Sequence, residues 1–129
     1  MKLLQKAKKS LGQNFLIDNN IIDKIVKIGS INKNKTVMEI GPGYGNLTKA
    51  IAMKCPKRIL AIEKDKKLVS FLKNKFKNYN NIKIIDRDIL DIIEKDKLEQ
   101  NIIVFGNLPY NMSTKILASL ILLEKWPPW

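Results

Sequence analysis

The stretch TVMEIGPGYG, residues 36–45, decides the fold of this chain. Its first half, residues 36–40, has the apolar character of a buried strand, and a helix is predicted over residues 47–53. The glycines between them let the backbone turn sharply and approach a ligand without side-chain collision. A strand, a glycine turn and a helix in this order predict a parallel α/β unit with a ligand site beyond the strand.

The rest of the chain alternates helices and strands in the same way. A first helix is predicted to be capped by Asn19 or Asn20 and to end at Gly29, and another is capped by Asp65. Further strands are predicted over residues 58–62, 82–85 and 102–105, with an acidic segment before the last strand and a final helix over residues 114–123. Apolar strands separated by helices predict a Rossmann-like parallel sheet covered on both faces.

Charge and composition favour an anionic partner. The net charge is +12, from 24 Lys and Arg against 12 Asp and Glu, as in proteins that bind nucleic acid. Lys, Ile and Asn are all abundant, which is typical of an A+T-rich genome, so part of this charge reflects composition. The basic leading segment, residues 1–18, is either an arm that contacts phosphates or a solvated tail.

Several classes of protein are disfavoured. The chain has one Cys and no His, so we expect no intrachain disulfide, no metal and no His-dependent triad. Cys55 is expected to be a small buried residue. A charged start without a long apolar run predicts neither a signal peptide nor a membrane span, and therefore a cytoplasmic protein without a membrane partner.

The polar residues after the predicted strands suggest a pocket for an adenosine. The glycine spacing is G-x-G-x-G rather than the dinucleotide pattern G-x-G-x-x-G, and no Gly-Lys-Ser or Gly-Lys-Thr occurs. Glu63 lies 22 residues after Gly41, where a carboxylate can accept hydrogen bonds from ribose hydroxyls, although it could be a surface acid beside Lys64. Asp88 could accept from an adenine amine, whereas Asp86 and Asp91 are expected to be solvated or capping residues. S-adenosylmethionine fits such a pocket.

The tetrapeptide Asn107-Leu108-Pro109-Tyr110 follows the fourth predicted strand. The amide oxygen of Asn107 and a nearby main-chain carbonyl can accept hydrogen bonds from an exocyclic amine, and Tyr110 can stack on a flipped base. Asn-x-Pro also simply makes turns, so the tetrapeptide alone leaves both interpretations open.

Three segments together resemble the bacterial rRNA adenine dimethyltransferases that modify small-subunit rRNA. They are KKSLGQNFL at residues 8–16, EIGPGYG at residues 39–45 and NLPYN at residues 107–111, in the family's order and spacing. The resemblance implies an S-adenosylmethionine-dependent methyltransferase that dimethylates the exocyclic amine of adenosines in 16S rRNA during ribosome biogenesis. Its partner would be the small ribosomal subunit, and a monomer is expected.

The resemblance also implies roles for matching positions. Those that contact the cofactor would be Asn14, Leu16, Gly41, Gly43, Gly45, Glu63, Asp88 and Asn107. In the family pattern Asn107 and the carbonyl of Leu108 or Pro109 orient the target amine, while Tyr110 stacks on the adenine. Arg87 departs from this pattern, because the family usually has a small residue before the acid at position 88.

Three alternatives remain open. The chain could be a non-catalytic module for RNA binding or ribosome assembly. It could be a macrolide-resistance-type methyltransferase of large-subunit rRNA, although those enzymes typically carry Ile where Leu108 stands. A methyltransferase for another amine, in DNA or protein, is disfavoured by the Gln-Asn-Phe-Leu segment.

The resemblance covers only the front of the family's protein. Residues 1–129 correspond to the N-terminal part of the catalytic domain, truncated after about four strands, and the remaining strands and the C-terminal helical domain are absent. We therefore expect weak stability or aggregation and little methyl transfer by this chain alone.

Overall fold

The computed structural model describes residues 18–95 and 102–106. Within these ranges the chain forms α1 (Asn19–Ile28), β1 (Thr36–Ile40), α2 (Asn46–Ala52), β2 (Arg58–Glu63), α3 (Lys66–Lys75), β3 (Ile82–Asp86), α4 (Ile89–Lys95) and β4 (Ile102–Gly106). All four predicted strands are present, and β2, β3 and β4 each extend one residue further than predicted. The leading segment up to residue 17 and the helix predicted over residues 114–123 lie outside the described ranges.

The strands form a parallel sheet in the order β3-β2-β1-β4. From β1 the chain proceeds to β2 and β3 on one side and then returns to place β4 on the other side. The strand order therefore reverses between the carboxyl ends of β1 and β4, the point at which α/β sheets bind ligands. The register places Ile40 opposite both Ile62 and Gly106 at this edge. The predicted parallel α/β fold is confirmed.

Helices cover both faces of the sheet because successive strand residues point to opposite sides. On one face, Met38 and Ile40 pack with the buried isoleucines of α4. On the other face, Val37 packs with the buried residues of α1 and α2. The side chain of Glu39 falls on the α1 and α2 face, because it has the same parity as Val37.

Acidic residues cap α1 and α3. Asp18, rather than the predicted Asn19 or Asn20, caps α1, and its Oδ1 accepts hydrogen bonds from the N–H groups of Asn20 at 2.9 Å and Ile21 at 3.3 Å. Asp65 caps α3 as predicted, accepting from the N–H of Lys67 at 2.9 Å. Each cap satisfies amides that the first helical turn leaves without a partner.

Two local expectations were wrong. The acidic segment after β3 contains a helix, α4, because Ile89, Ile92 and Ile93 recur at helical spacing and bury one face against the sheet. Cys55 is exposed rather than buried, since it lies beyond the end of α2 in a turn with a positive φ of 52°.

Among the residues that the structure describes, no helix is both long and apolar enough to cross a membrane.

Candidate functional site

The glycine turn after β1 forms the floor of the site. Gly41, Gly43 and Gly45 have φ values of +67°, +59° and +86°, a region that side-chain-bearing residues rarely adopt. The N–H of Gly41 donates to the carbonyl of Ile62 at 2.9 Å, which joins the start of the turn to β2. The turn is therefore held at the switch point by backbone contacts.

Two of these glycines face different surroundings. A Cβ on Gly45 would lie 2.7 Å from the ring of Phe76 and 3.1 Å from Leu72, both on the α3 side. A Cβ on Gly41 would meet nothing within 4 Å among the described residues. Gly45 is thus required by packing, whereas none of the described residues restricts a side chain at Gly41.

Glu63 is anchored at the edge of this turn. Its Oε1 accepts from the N–H groups of Lys64 and Asp65, both at 3.0 Å, and its Oε2 accepts from the N–H of Gly43 at 3.4 Å. Glu63 is only 6% exposed, so it is not the surface acid considered as its alternative. Burial raises the pKa of Glu63, and the three backbone hydrogen bonds oppose that rise. The longer contact at Oε2 leaves this oxygen with capacity for a further donor.

Glu39 is a second buried carboxylate, to which the sequence assigned no role. It is 2% exposed, lies on β1, and accepts a hydrogen bond at Oε2 from the hydroxyl of Thr48 in α2. Burial raises the pKa of Glu39 to about 7, the Thr48 hydrogen bond lowers it, and the negative charge of Glu63 raises it. A Glu within an apolar strand was the sequence signal for this group.

Asp88 begins α4. Its Oδ1 accepts from the N–H of Leu90 at 3.0 Å, and its carbonyl accepts from the N–H groups of Asp91 and Ile92. Asp88 therefore caps α4, and Asp91 is exposed, as expected of a solvated residue. Asp86 is paired with Lys66 at 3.0 Å. Capping uses one acceptor site of the Asp88 carboxylate, so an adenine amine would be recognised through its remaining acceptor sites.

Several predicted site residues lie outside the described ranges. These residues are Asn14, Leu16, Asn107, Leu108, Pro109 and Tyr110. The structure does describe Gly106, the residue before Asn107, and pairs it with Ile40, the residue before Gly41. The chain therefore leaves β1 and β4 side by side at the same edge of the sheet.

The fold and this edge define a class, the Rossmann-like methyltransferases. A 23S rRNA methyltransferase, ErmE, matches with a TM-score of 0.76 and 26% identity over 86% of this chain and 44% of its own. A dimethyladenosine transferase from Plasmodium falciparum matches with a TM-score of 0.74 and 27% identity over 88% of this chain and 40% of its own.

The chain belongs to the ribosomal RNA adenine dimethylase family, whose model matches residues 4–127. It is 56% identical over 117 residues to a protein of Pelagibacter ubique named ribosomal RNA small subunit methyltransferase A, over 91% of this chain and 44% of that protein. It is 40% identical to the protein of the same name from Halothermothrix orenii, over 90% of this chain and 40% of that protein. The predicted family is confirmed, and the chain spans less than half the length of these relatives.

Proposed function

We propose that this chain carries the cofactor-binding part of an enzyme that dimethylates the exocyclic amine of adenosines in small-subunit (16S) rRNA in the cytoplasm. The proposal rests on the hydrogen bond that the N–H of Gly43 donates to Oε2 of Glu63, at the edge of the sheet where strand order reverses. It places a buried carboxylate beside an open glycine turn in a chain of this family.

The residues of this edge fit S-adenosylmethionine. Glu63 would accept hydrogen bonds from the ribose hydroxyls, and the open side of Gly41 would lie against the methionine portion. The buried carboxylate of Glu63 gives the edge acidic character, which suits a cation better than a phosphate. Asn14, Leu16, Gly43, Gly45 and Asp88 would complete the contacts to the cofactor.

S-adenosylmethionine supplies a methyl group that is already activated for transfer. The protein therefore needs to position the target amine more than to deprotonate it with a strong base. Asn107 and the carbonyl of Leu108 or Pro109 would accept hydrogen bonds from the adenine amine, while Tyr110 would stack on the flipped base. This chemistry is compatible with a chain that has no histidine.

Labelled methyl transfer tests the proposal. The chain would be incubated with tritium-labelled S-adenosylmethionine and small ribosomal subunits that lack the modification, with large subunits and unmodified DNA as parallel substrates. We expect transfer to small subunits alone, yielding dimethyladenosine by mass spectrometry.

Calorimetry with S-adenosylmethionine separates the other outcomes. Binding of the cofactor without transfer to any substrate would favour the non-catalytic assembly module. Transfer to large subunits would favour the macrolide-resistance type. If the folded chain bound no S-adenosylmethionine at all, the proposed function would be wrong.

A further inference from the structure

A cluster of aromatic and basic side chains lies beside the glycine turn and is not used by the proposed transfer chemistry. It consists of Tyr44 in the turn, Lys49 on α2, and Phe71 and Lys75 on α3, and is called the aromatic-lysine surface below. The rings of Tyr44 and Phe71 meet edge to face, with centroids 5.2 Å apart and planes at 89°. The surface starts at Tyr44, directly after Gly43, the residue that contacts Glu63.

Phe71 is a large aromatic residue that lies outside the hydrophobic core. The buried face of α3 carries Leu68, Val69 and Leu72, whereas Phe71 lies on its outer side and is 43% exposed. A large apolar ring on the outer side of an amphipathic helix does not contribute fully to the core. It is available for contact with a flat apolar group.

The charges around this ring are positive. The ammonium group of Lys75 lies 5.8 Å from the centroid of Phe71 and donates a hydrogen bond to the carbonyl of Tyr44 at 2.7 Å. Burial lowers the pKa of Lys75, and the nearby positive charge of Lys49 lowers it further. Lys49 is exposed on α2, and a phosphate beside this surface would be attracted by the charges of both lysines.

We propose that the aromatic-lysine surface binds an unpaired nucleotide of the RNA substrate, with the base stacked on Phe71 and its phosphate at Lys49 and Lys75. Aromatic rings beside lysines form a common platform for single-stranded RNA, since rings stack on bases and ammonium groups neutralise phosphates. The inference rests on the proposed function, which supplies the RNA.

Charge argues against the leading segment of this chain as the occupant. Residues 1–17 contain four lysines and no acid, so the lysines of the surface would repel that segment. A phosphodiester chain has the opposite charge and also supplies planar groups. RNA therefore matches both the charge and the ring chemistry of the surface.

Binding of a labelled oligouridylate of about 12 nucleotides, measured by fluorescence anisotropy, tests the proposal. We expect Phe71→Ala to weaken binding by about 5- to 20-fold, at the low end of the effect of losing one stacked base. Tyr79→Ala is the matched control, because Tyr79 is 41% exposed and also pairs edge to face, with Phe76 at 5.5 Å. Tyr79 follows the C-terminal end of α3 and makes no contact with the rings of Tyr44 and Phe71 among the interactions that the described residues form, so Tyr79→Ala should leave the affinity for RNA unchanged.

The lysines are tested through salt dependence. Lys49→Gln should reduce the slope of log affinity against log salt by about 0.7, the value for one phosphate of a single strand. Lys33→Gln removes the same charge from an exposed loop before β1, at the opposite edge of the sheet, and should leave the slope nearly unchanged. Inorganic polyphosphate serves as a probe that has phosphates but no bases. Lys49→Gln should bind polyphosphate more weakly than the unmodified chain, whereas Phe71→Ala should bind it equally well.

Three results would overturn the proposal. The first is equal affinity of Phe71→Ala and Tyr79→Ala for RNA. The second is protection of Phe71 from hydroxyl radicals in the absence of RNA, which would show that the chain itself covers the ring. The third is displacement of the RNA by an acidic apolar peptide that binds more tightly than the RNA. The last result would assign the surface to a protein partner.

The readouts keep this proposal distinct from the proposed function. Loss of S-adenosylmethionine binding by the unmodified chain would contradict the function while leaving the RNA titration interpretable. Intact methyl transfer and cofactor binding in Phe71→Ala, with unchanged RNA affinity, would contradict only the surface. Ultraviolet cross-linking of the oligouridylate to Phe71 would support the surface directly.

Discussion

Glu39 is the residue whose environment has the clearest consequence for pH. Its pKa rises from 4.5 to about 7 on burial, so the folded chain holds a proton that the unfolded chain has released. The stability that this proton contributes is present in full below pH 4.5 and is lost as the pH rises through about 7. Ionisation of Glu39 therefore weakens the fold above neutral pH.

Glu39→Gln should abolish this loss, because Gln cannot ionise and still accepts the hydrogen bond of Thr48. Between about pH 5 and about pH 8 the unmodified chain should lose up to about 3 kcal/mol of unfolding free energy relative to the variant. Urea unfolding at the two pH values measures the difference. Asp86→Asn changes an exposed carboxylate and should still lose unfolding free energy as the pH rises. If the unfolding free energies of Glu39→Gln and the unmodified chain changed in parallel with pH, Glu39 would not be the titrating group.

Glu63 bears on cofactor binding. Glu63→Ala should weaken S-adenosylmethionine binding by roughly 10- to 100-fold, the range for charged hydrogen bonds, measured by calorimetry. The variant also leaves the N–H groups of Gly43, Lys64 and Asp65 without their acceptor, so its melting temperature is measured in parallel. Asp86→Asn, at the neighbouring position of the sheet, is the control. Unchanged affinity in a folded Glu63→Ala would exclude the ribose contact.

Asn107 bears on transfer rather than on binding. In the intact protein, Asn107→Ala should abolish methyl transfer to small subunits and lower cofactor affinity only modestly, because its amide would orient the amine. Transfer is followed by incorporated label and affinity by calorimetry. Full activity in Asn107→Ala would contradict the assigned mechanism.

Among the elements of the fold, the glycine turn contains one glycine that packing requires, Gly45, and one that the proposed cofactor contact requires, Gly41. Gly45→Ala should cost about 2–4 kcal/mol, from the positive φ and the overlap with Phe76. Gly41→Ala carries only the backbone cost, about 1–2 kcal/mol, but its methyl group would occupy the space assigned to the cofactor. Urea unfolding should show the larger loss of stability for Gly45→Ala, whereas cofactor titration should show the larger loss of affinity for Gly41→Ala. If one variant showed the larger loss in both measurements, the assignment would be contradicted.

The helices and strands also show which parts of the fold can be predicted from sequence patterns. Strands were predictable because runs such as residues 36–40 are apolar and bounded by turn residues. The sequence of α4 combines acidic residues with isoleucines at helical spacing, and only burial of Ile89, Ile92 and Ile93 against the sheet distinguishes it from a solvated segment. Local sequence does not single out the cap of α1, because Asp18 and the two asparagines after it all favour N-cap positions.

At the scale of the whole molecule, the net charge of +12 should give salt opposite effects on folding and on RNA binding. Raising potassium chloride from about 20 mM to about 300 mM screens repulsion among the lysines and should raise the melting temperature. The same change should weaken RNA binding, because the release of counterions into a more concentrated salt solution is less favourable. Melting curves and anisotropy at matched salt measure both, and equal signs would contradict the charge argument.

The family, the strands and the glycine turn follow from the sequence alone, because they depend on local patterns of residues and their spacing. Only the packing of the chain shows that Glu39 and Glu63 share one side of the sheet, that Asp88 caps α4, and that Phe71 contacts Tyr44 beside Lys75. Strand order and helix packing bring together residues far apart in the chain, and local periodicity does not encode which distant partners meet.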